Sequence, residues 1–158
     1  MVMKLQSKYI HNLAMKLAED GQKLIEKAYL QASFNKDKTQ NLHDSYGSAV
    51  FLNRKLYQGS KRYFSKVASV PRYNSYTESN EYGRDEINKF FDTYVPKDDG
   101  MQLVIAVAMF YGGILEAGKS PLRRKYQVIS MVGDDIKALT SKIKGARVEV
   151  IQQSKIRS

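Results

Sequence analysis

The chain has 158 residues, two His and no Cys, and its 26 Lys and Arg against 16 Asp and Glu give a formal net charge of +10. This length fits one domain that buries enough surface to fold without disulfides or a structural metal. The lack of Cys excludes disulfides and thiolate chemistry, and no apolar stretch reaches the roughly 20 residues that a membrane span requires. The N-terminus shows no apolar leader segment, so we expect a protein that acts where it is made.

Residues 3–32 predict a long amphipathic helix. Apolar or small residues recur at steps of three and one from Ile10 to Tyr29, and charged residues occupy the other face. Gly21 lies on the apolar face, where it either permits the close approach of another backbone or weakens the helix by about 1 kcal/mol. After a polar break, residues 41–46 predict a single helical turn.

The middle of the chain predicts a hairpin followed by an extended loop. Residues 48–57 contain two short apolar runs around a polar centre, which is typical of a β-hairpin. Residues 61–82 mix aromatic, basic and polar side chains without a helical or strand period. This mixture favours a protein interface, although it also suits stacking on single-stranded bases. The candidate interface residues are Arg62, Tyr63, Phe64, Arg72, Tyr73, Tyr76 and Tyr82.

The second half predicts helix, strand, helix and strand. A short helix is expected over 85–94, and an apolar strand covered on both faces over 102–110. Ser120 and Pro121 begin a long helix that runs to about Lys144, and alternation over 146–152 predicts a last strand. The predicted fold class is α+β, with a small, mostly antiparallel sheet packed by long N-terminal and C-terminal helices. We expect a single domain over 1–153 and a flexible tail over 154–158.

Positive charge is concentrated in the last 40 residues, which carry ten Lys and Arg and three acidic residues. Such a segment favours encounters with DNA or with an acidic protein surface, and the sequence does not decide between them. The residues expected to face either partner are Lys119, Arg124, Lys125, Lys142, Lys144 and Arg147.

No pattern in the sequence predicts catalysis, a metal site or a cofactor. Residues 113–120 match the phosphate-loop motif G-x-x-x-x-G-K-S, but Pro121 follows at once and no second strand ends in a magnesium-binding Asp. We interpret these residues as a turn before a helix, and a nucleotide-binding enzyme using Gly113–Ser120 remains an alternative. His11 and His43 have no nucleophile at an informative spacing, so we expect structural or solvated roles for both.

Three short motifs occur in order along the chain: residues 38–46 (KTQNLHDSY), 110–118 (FYGGILEAG) and 121–123 (PLR). They resemble the K-T-G-x-L-x-x-S-I, Y-A-x-x-x-E-x-G and P-F-L-R-P-A segments of the small tail-completion, or head–tail joining, proteins of tailed bacteriophages. The sequence departs from these segments at Gln40 and Ala117 and lacks the second proline. The matching positions are Thr39, Leu42, Ser45, Tyr111, Glu116, Gly118, Pro121, Leu122 and Arg123.

The resemblance implies a structural protein of the virion neck or tail, without catalytic activity or cofactor. Such proteins assemble as a ring between head connector and tail. The implied partners are further copies of the chain, connector and tail proteins, and genomic DNA in the channel, but no membrane. The expected location is the virion, after synthesis in the host cytoplasm. We also expect a domain lacking 61–82 to fold but not to assemble. A basic nucleic-acid-binding module remains the main alternative.

Overall fold

The computed structural model describes residues 2–31, 40–64, 66–75, 77–108 and 146–152. The described part is α+β. Its helices are α1 (Val2–Gln31), α2 (Asn41–Asp44) and α3 (Gly83–Thr93), and its strands are β1 (Tyr46–Leu52), β2 (Lys55–Leu56), β3 (Arg72–Asn74), β4 (Ser79–Glu81), β5 (Met101–Val107) and β6 (Ala146–Gln152). The helices predicted over 3–32 and 85–94, the hairpin predicted over 48–57 and the strands predicted to begin at 102 and 146 are confirmed. Their ends differ from the predicted ones by a few residues.

A four-stranded sheet in the order β2-β1-β5-β6 forms the centre of the fold. β1 pairs antiparallel with β2 and with β5, whereas β5 pairs parallel with β6, so the sheet is mostly antiparallel as predicted. A parallel pair requires a long crossover, for which residues 108–145 are sufficient. The helix predicted over 121–144 lies in this connection and outside the described residues.

The two faces of the sheet are covered by different helices. On one face, Leu17 and Ile25 of α1 pack with Leu103 of β5. On the other face, Ile87 and Phe91 of α3 form a second cluster with residues of β1 and β5. Every residue of β5 is buried, which explains why its sequence is apolar apart from Gln102 rather than alternating. Each large apolar side chain buried here contributes about 1.5–3 kcal/mol.

Two tight features set the geometry between elements. Asn53 and Arg54 both have positive φ, 50° and 67°. In a two-residue hairpin loop, this turn geometry matches the right-handed twist of the flanking strands, β1 and β2. A Cβ added to Gly21 would lie 3.0 Å from a methyl carbon of Leu103 and 3.2 Å from the Cβ of Ser48. Gly21 therefore permits the close approach of α1 to the sheet, the first of the two roles considered for it.

Residues 61–82, called the mid-chain segment below, contain regular structure that the sequence did not predict. β3 and β4 form an antiparallel hairpin in which Arg72 opposes Glu81 and Asn74 opposes Ser79. The buried Asn74 donates a hydrogen bond of 2.9 Å from Nδ2 to Oε1 of Glu81. The expectation of an irregular loop throughout 61–82 is therefore wrong, because three-residue polar strands are too short to show a period.

We expect Gly83→Ala to lower the free energy of unfolding by at least about 2 kcal/mol, because overpacking against an immobile group is costly. A Cβ at this position would overlap the backbone oxygen of Asn41, which has no flexible end to move aside. Gly21→Ala is the comparison variant, and we expect a smaller loss, since its Cβ would meet only side-chain atoms, those of Leu103 and Ser48, at 3.0 Å or more, and helix propensity would offset part of the strain. Urea denaturation measures both variants, and equal stabilities would contradict the prediction.

Candidate functional site

The outer edge of β1 is closed by backbone and side-chain hydrogen bonds from residues 57–62 rather than by a full strand. β2 pairs only with Phe51 and Leu52, so the preceding part of this edge needs other partners. The Ser60 hydroxyl accepts the Val50 N–H at 2.9 Å, and the Arg62 N–H donates to the Ser48 carbonyl at 3.0 Å. An open strand edge is a template for pairing with other chains, so these bonds both seal β1 and fix the backbone of residues 60–62.

The Arg62 guanidinium joins residues 60–62 to α1, α2 and β1. Nη1 donates to the backbone oxygens of His43, at 2.8 Å, and Tyr46, and Nη2 donates to Oε1 of Glu26 at 2.7 Å. The guanidinium carbon also lies 4.6 Å from the centre of the Phe64 ring, within range of a cation–π contact. The side chain is 4% exposed. The prediction that Arg62 is a partner-binding residue is therefore wrong, since its charged group is used inside the chain.

Glu26 and His43 complete the cluster. His43 Nε2 lies 3.0 and 2.9 Å from the two carboxylate oxygens of Glu26, and its ring centre lies 4.3 Å from that of Tyr29. An ionised Glu26 cannot donate, so Nε2 carries the proton and donates to it. This hydrogen bond, with the charges of His43 and Arg62, lowers the pKa of Glu26 despite its partial burial. Burial lowers the pKa of Arg62, and the neighbouring carboxylates of Glu26 and Asp44 oppose that shift.

Buried polar side chains of α2 hold the rest of the mid-chain segment. Asn41 donates from Nδ2 to the Val70 carbonyl at 2.8 Å and accepts the Gly83 N–H at Oδ1, at 3.0 Å. Asp44 accepts the Ala68 N–H at 2.7 Å. Both side chains are almost fully buried, so each bond replaces water on a group that is costly to leave unpaired. The segment is thus tied to the domain at several points.

These anchors argue against the expectation that the domain would fold without residues 61–82, which stays a prediction. Removal of this segment would take away Arg62, one of the two side chains that donate to Glu26. It would also remove the bonds that Asn41 and Asp44 make to the segment, which leaves buried polar groups unpaired.

The family-motif positions that the structure describes lie at the junction of α2 and β1. Leu42 is 4% exposed and belongs to the core under α1. Ser45 donates from its hydroxyl to the Leu42 carbonyl at 2.6 Å, which ends the short helix, and its own carbonyl accepts the Ala108 N–H. Thr39 and the motif positions between 111 and 123 lie outside the described residues.

The other predicted interface residues differ in exposure. Tyr63 is 76% exposed and Tyr73 57% exposed, and Arg72 is also on the surface. Phe64 and Tyr82 are half-buried, and Tyr76 lies outside the described residues. Among the predicted basic residues, Arg147 lies on β6, and the structure does not describe Lys119, Arg124, Lys125, Lys142 and Lys144.

Sequence reasoning missed two surface residues in the same segment, Val67 and Val70, which are 37% and 52% exposed. Of the seven large hydrophobic side chains exposed in the described part of the chain, four lie between residues 63 and 73. Two valines near a proline gave a weak signal, because without a period the sequence does not show which side chains face solvent.

Tyr63 lines two surface cavities. One, of about 770 Å³, runs between α1 and residues 59–63, and the other, of about 520 Å³, lies over the Arg62 cluster. The Gln22 side chain donates to the Tyr63 carbonyl at 3.2 Å and accepts the Tyr63 N–H at 3.1 Å. This pair of bonds fixes the Tyr63 backbone on α1 while its ring remains exposed.

Both histidines of the described part of the chain contact other side chains of the same chain. His43 is committed to Glu26, and His11 Nδ1 lies 2.8 Å from the Tyr57 hydroxyl. Within the ranges given above, no three His, Asp or Glu residues are placed to hold a metal ion. None of the described helices is both long and apolar enough to span a membrane.

Comparison with known proteins adds no assignment. No protein-family model, curated protein or solved structure matches the chain.

We expect Arg62→Met to lower the free energy of unfolding by about 2 kcal/mol, because loss of the buried guanidinium leaves the backbone oxygens of His43 and Tyr46 without its hydrogen bonds. Arg54→Met is the matched control. It removes an exposed arginine whose bond to Asp99 is 3.0 Å long, and exposed pairs contribute about 0–1 kcal/mol. Denaturant unfolding gives both values. Faster hydrogen exchange at residues 60–64 only in Arg62→Met would show release of the segment, and equal losses in the two variants would contradict the prediction.

We expect the stability of the wild-type protein to decline as the pH falls below about 4.5, and Glu26→Gln to flatten this decline. The pKa of Glu26 is lowered in the folded state, so its contribution is complete above the unfolded-state value of 4.5 and is lost as the pH falls through the folded value. Urea unfolding at a series of pH values measures the effect. Parallel pH profiles for the two proteins would show that Glu26 has no such role.

Proposed function

We propose that this chain is a non-catalytic structural subunit that assembles as a ring in the neck or tail of a tailed-bacteriophage virion. The observation that carries the proposal is a set of exposed apolar side chains on a segment whose backbone is hydrogen-bonded to α1 and α2. That set consists of Tyr63, Val67, Val70 and Tyr73. The remainder of the proposal rests on the resemblance of the three motifs.

A fixed segment with exposed apolar side chains is suited to forming a protein interface. The backbone positions of Tyr63, Ala68 and Val70 are held by hydrogen bonds from α1 and α2. Binding through such a segment loses little conformational freedom, because the ordering has already occurred on folding. Tyrosine is also enriched among the residues that contribute most to protein interfaces.

The order of elements agrees with what the resemblance implies. A long helix precedes the motif at 38–46, and a hairpin follows it. Leu42 and Ser45 form the junction between α2 and β1, a structural use that suits a family motif. On this proposal, Glu116 and Gly118 belong to a turn before the C-terminal helix, and Gly113–Ser120 is not a nucleotide site. The basic residues of 119–158 then face an acidic neighbouring ring or the DNA channel.

We expect the purified protein to form a ring-sized oligomer, or to join one when the connector or tail-tube proteins of the same virus are added. Light scattering after gel filtration, with electron microscopy of the peak, measures mass and shape. The mass should not depend on duplex DNA. A monomer that ignores those proteins and binds any duplex DNA with an affinity falling log-linearly with salt would overturn the proposal in favour of a nucleic-acid-binding module.

A further inference from the structure

Gln40, the residue that precedes α2, has a backbone conformation that glutamine rarely adopts. Its φ is 65° and its ψ is 0°, in the left-handed region where glycine is free of strain and a residue with a Cβ is not. The residue before a helix usually has an extended backbone and a side chain that accepts an N–H of the first turn. The Gln40 side chain forms no such capping bond. The start of the helix therefore does not explain why glutamine occupies this position.

The side-chain amide of Gln40 bridges two acceptors. Its Nε2 lies 3.2 Å from Oδ1 of Asp44 and 3.2 Å from the backbone oxygen of Lys66. Carboxylate and carbonyl oxygens accept hydrogen bonds, and an amide nitrogen has two hydrogens, so Nε2 donates one to each. A glycine at residue 40 would relieve the backbone strain but would lose both bonds.

The Asp44 carboxylate also holds the opposite side of Val67. Its Oδ2 accepts the Ala68 N–H at 2.7 Å, while its Oδ1 accepts from Gln40. The Lys66 oxygen belongs to the peptide unit before Val67, and the Ala68 N–H belongs to the peptide unit after it. Gln40 and Asp44 together therefore fix both peptide units that adjoin Val67, and with them the direction of its side chain.

We propose that Gln40 is a positioning residue of the assembly interface, kept in a strained conformation because its amide, together with Asp44, directs Val67 outward. The inference rests on the proposed function, in which exposed apolar side chains of residues 63–73 form the interface. Asp44 is 1% exposed and Val67 is 37% exposed, so a buried anchor supports an exposed contact. Strained residues persist where the surrounding structure holds them, and they are concentrated at functional sites.

Gln40→Gly and Gln40→Ala separate the amide from the backbone. Both variants lack the amide, so we expect both to raise the concentration at which the ring dissociates by about fivefold or more, because residues 66–68 must then be ordered on binding. Only glycine relieves the strain, so Gln40→Ala should unfold at a lower urea concentration than Gln40→Gly. Assembly would thus follow the amide, whereas stability would follow the backbone.

Glu78→Gly is the matched control. Glu78 is exposed in the turn between β3 and β4 and also has a left-handed backbone, with φ of 53°. Its replacement by glycine relieves the same kind of strain but removes no bond to Lys66 or Asp44. We expect the ring of this variant to dissociate at the wild-type concentration.

A double-mutant cycle tests whether Gln40 acts through Val67. Val67→Ser should weaken the ring, and Gln40→Gly should have little further effect in that background, because no apolar contact is left to direct. Gln40→Gly should keep its full effect in Val95→Ser, at a valine that is 68% exposed outside residues 63–73. Hydrogen exchange of residues 66–68 in the dissociated subunit should be faster in Gln40→Gly and unchanged in Glu78→Gly.

The outcomes separate this inference from the proposed function. Unchanged exchange at residues 66–68, or effects of Gln40→Gly and Val67→Ser that simply add, overturns the positioning role while the proposed function stands. Ring weakening that follows the unfolding midpoint, and is therefore greater in Gln40→Ala than in Gln40→Gly, also overturns that role. A wild-type protein that forms no ring, alone or with connector or tail-tube proteins, overturns both.

Discussion

The structure depends on the burial of one cation. The guanidinium of Arg62 is removed from water, which is unfavourable unless its hydrogen bonds and charge are matched. The groups that pair with Nη1 and Nη2 come from α1, from α2 and from the start of β1, and all of them lie at least 16 residues before Arg62 in the sequence. Because each must be in place for the burial to be tolerated, the cluster couples the first helix, the sheet and the mid-chain segment into one cooperative unit.

Local periodicity predicted the elements that have a period. The apolar face of α1 and the uniform burial of β5 follow from residues close together in sequence, so both were predicted. The burial of Arg62 was not, because its carboxylate partner, Glu26, lies 36 residues earlier. Arg62, Tyr63 and Phe64 together have the composition of an exposed binding loop. Only three-dimensional contacts distinguish that arrangement from the observed one.

The candidate site was predicted in part for a related reason. A sequence shows which side chains suit an interface, and Tyr63 and Tyr73 are indeed exposed. It does not show which backbone positions are hydrogen-bonded to the rest of the domain. Those hydrogen bonds decide which way Val67 and Val70 face. The anchors are Asn41 and Asp44, two polar residues whose complete burial is unusual and is explained by the main-chain groups they bind. Mid-chain rigidity is therefore encoded outside the mid-chain segment.

The separation of these contacts along the chain has a consequence for the order of folding. Long-range contacts form late, because the entropy of closing a loop is lost before the contact compensates for it. The bonds from Gln22 to Tyr63 and from Glu26 to Arg62 each join residues about 40 positions apart. A nascent or damaged chain that has not docked α1 on the sheet cannot present these side chains in their final positions. The exposed side chains of residues 63–73 therefore reach their final positions only after α1 has packed on the sheet, so the exposure of this surface depends on the rest of the fold.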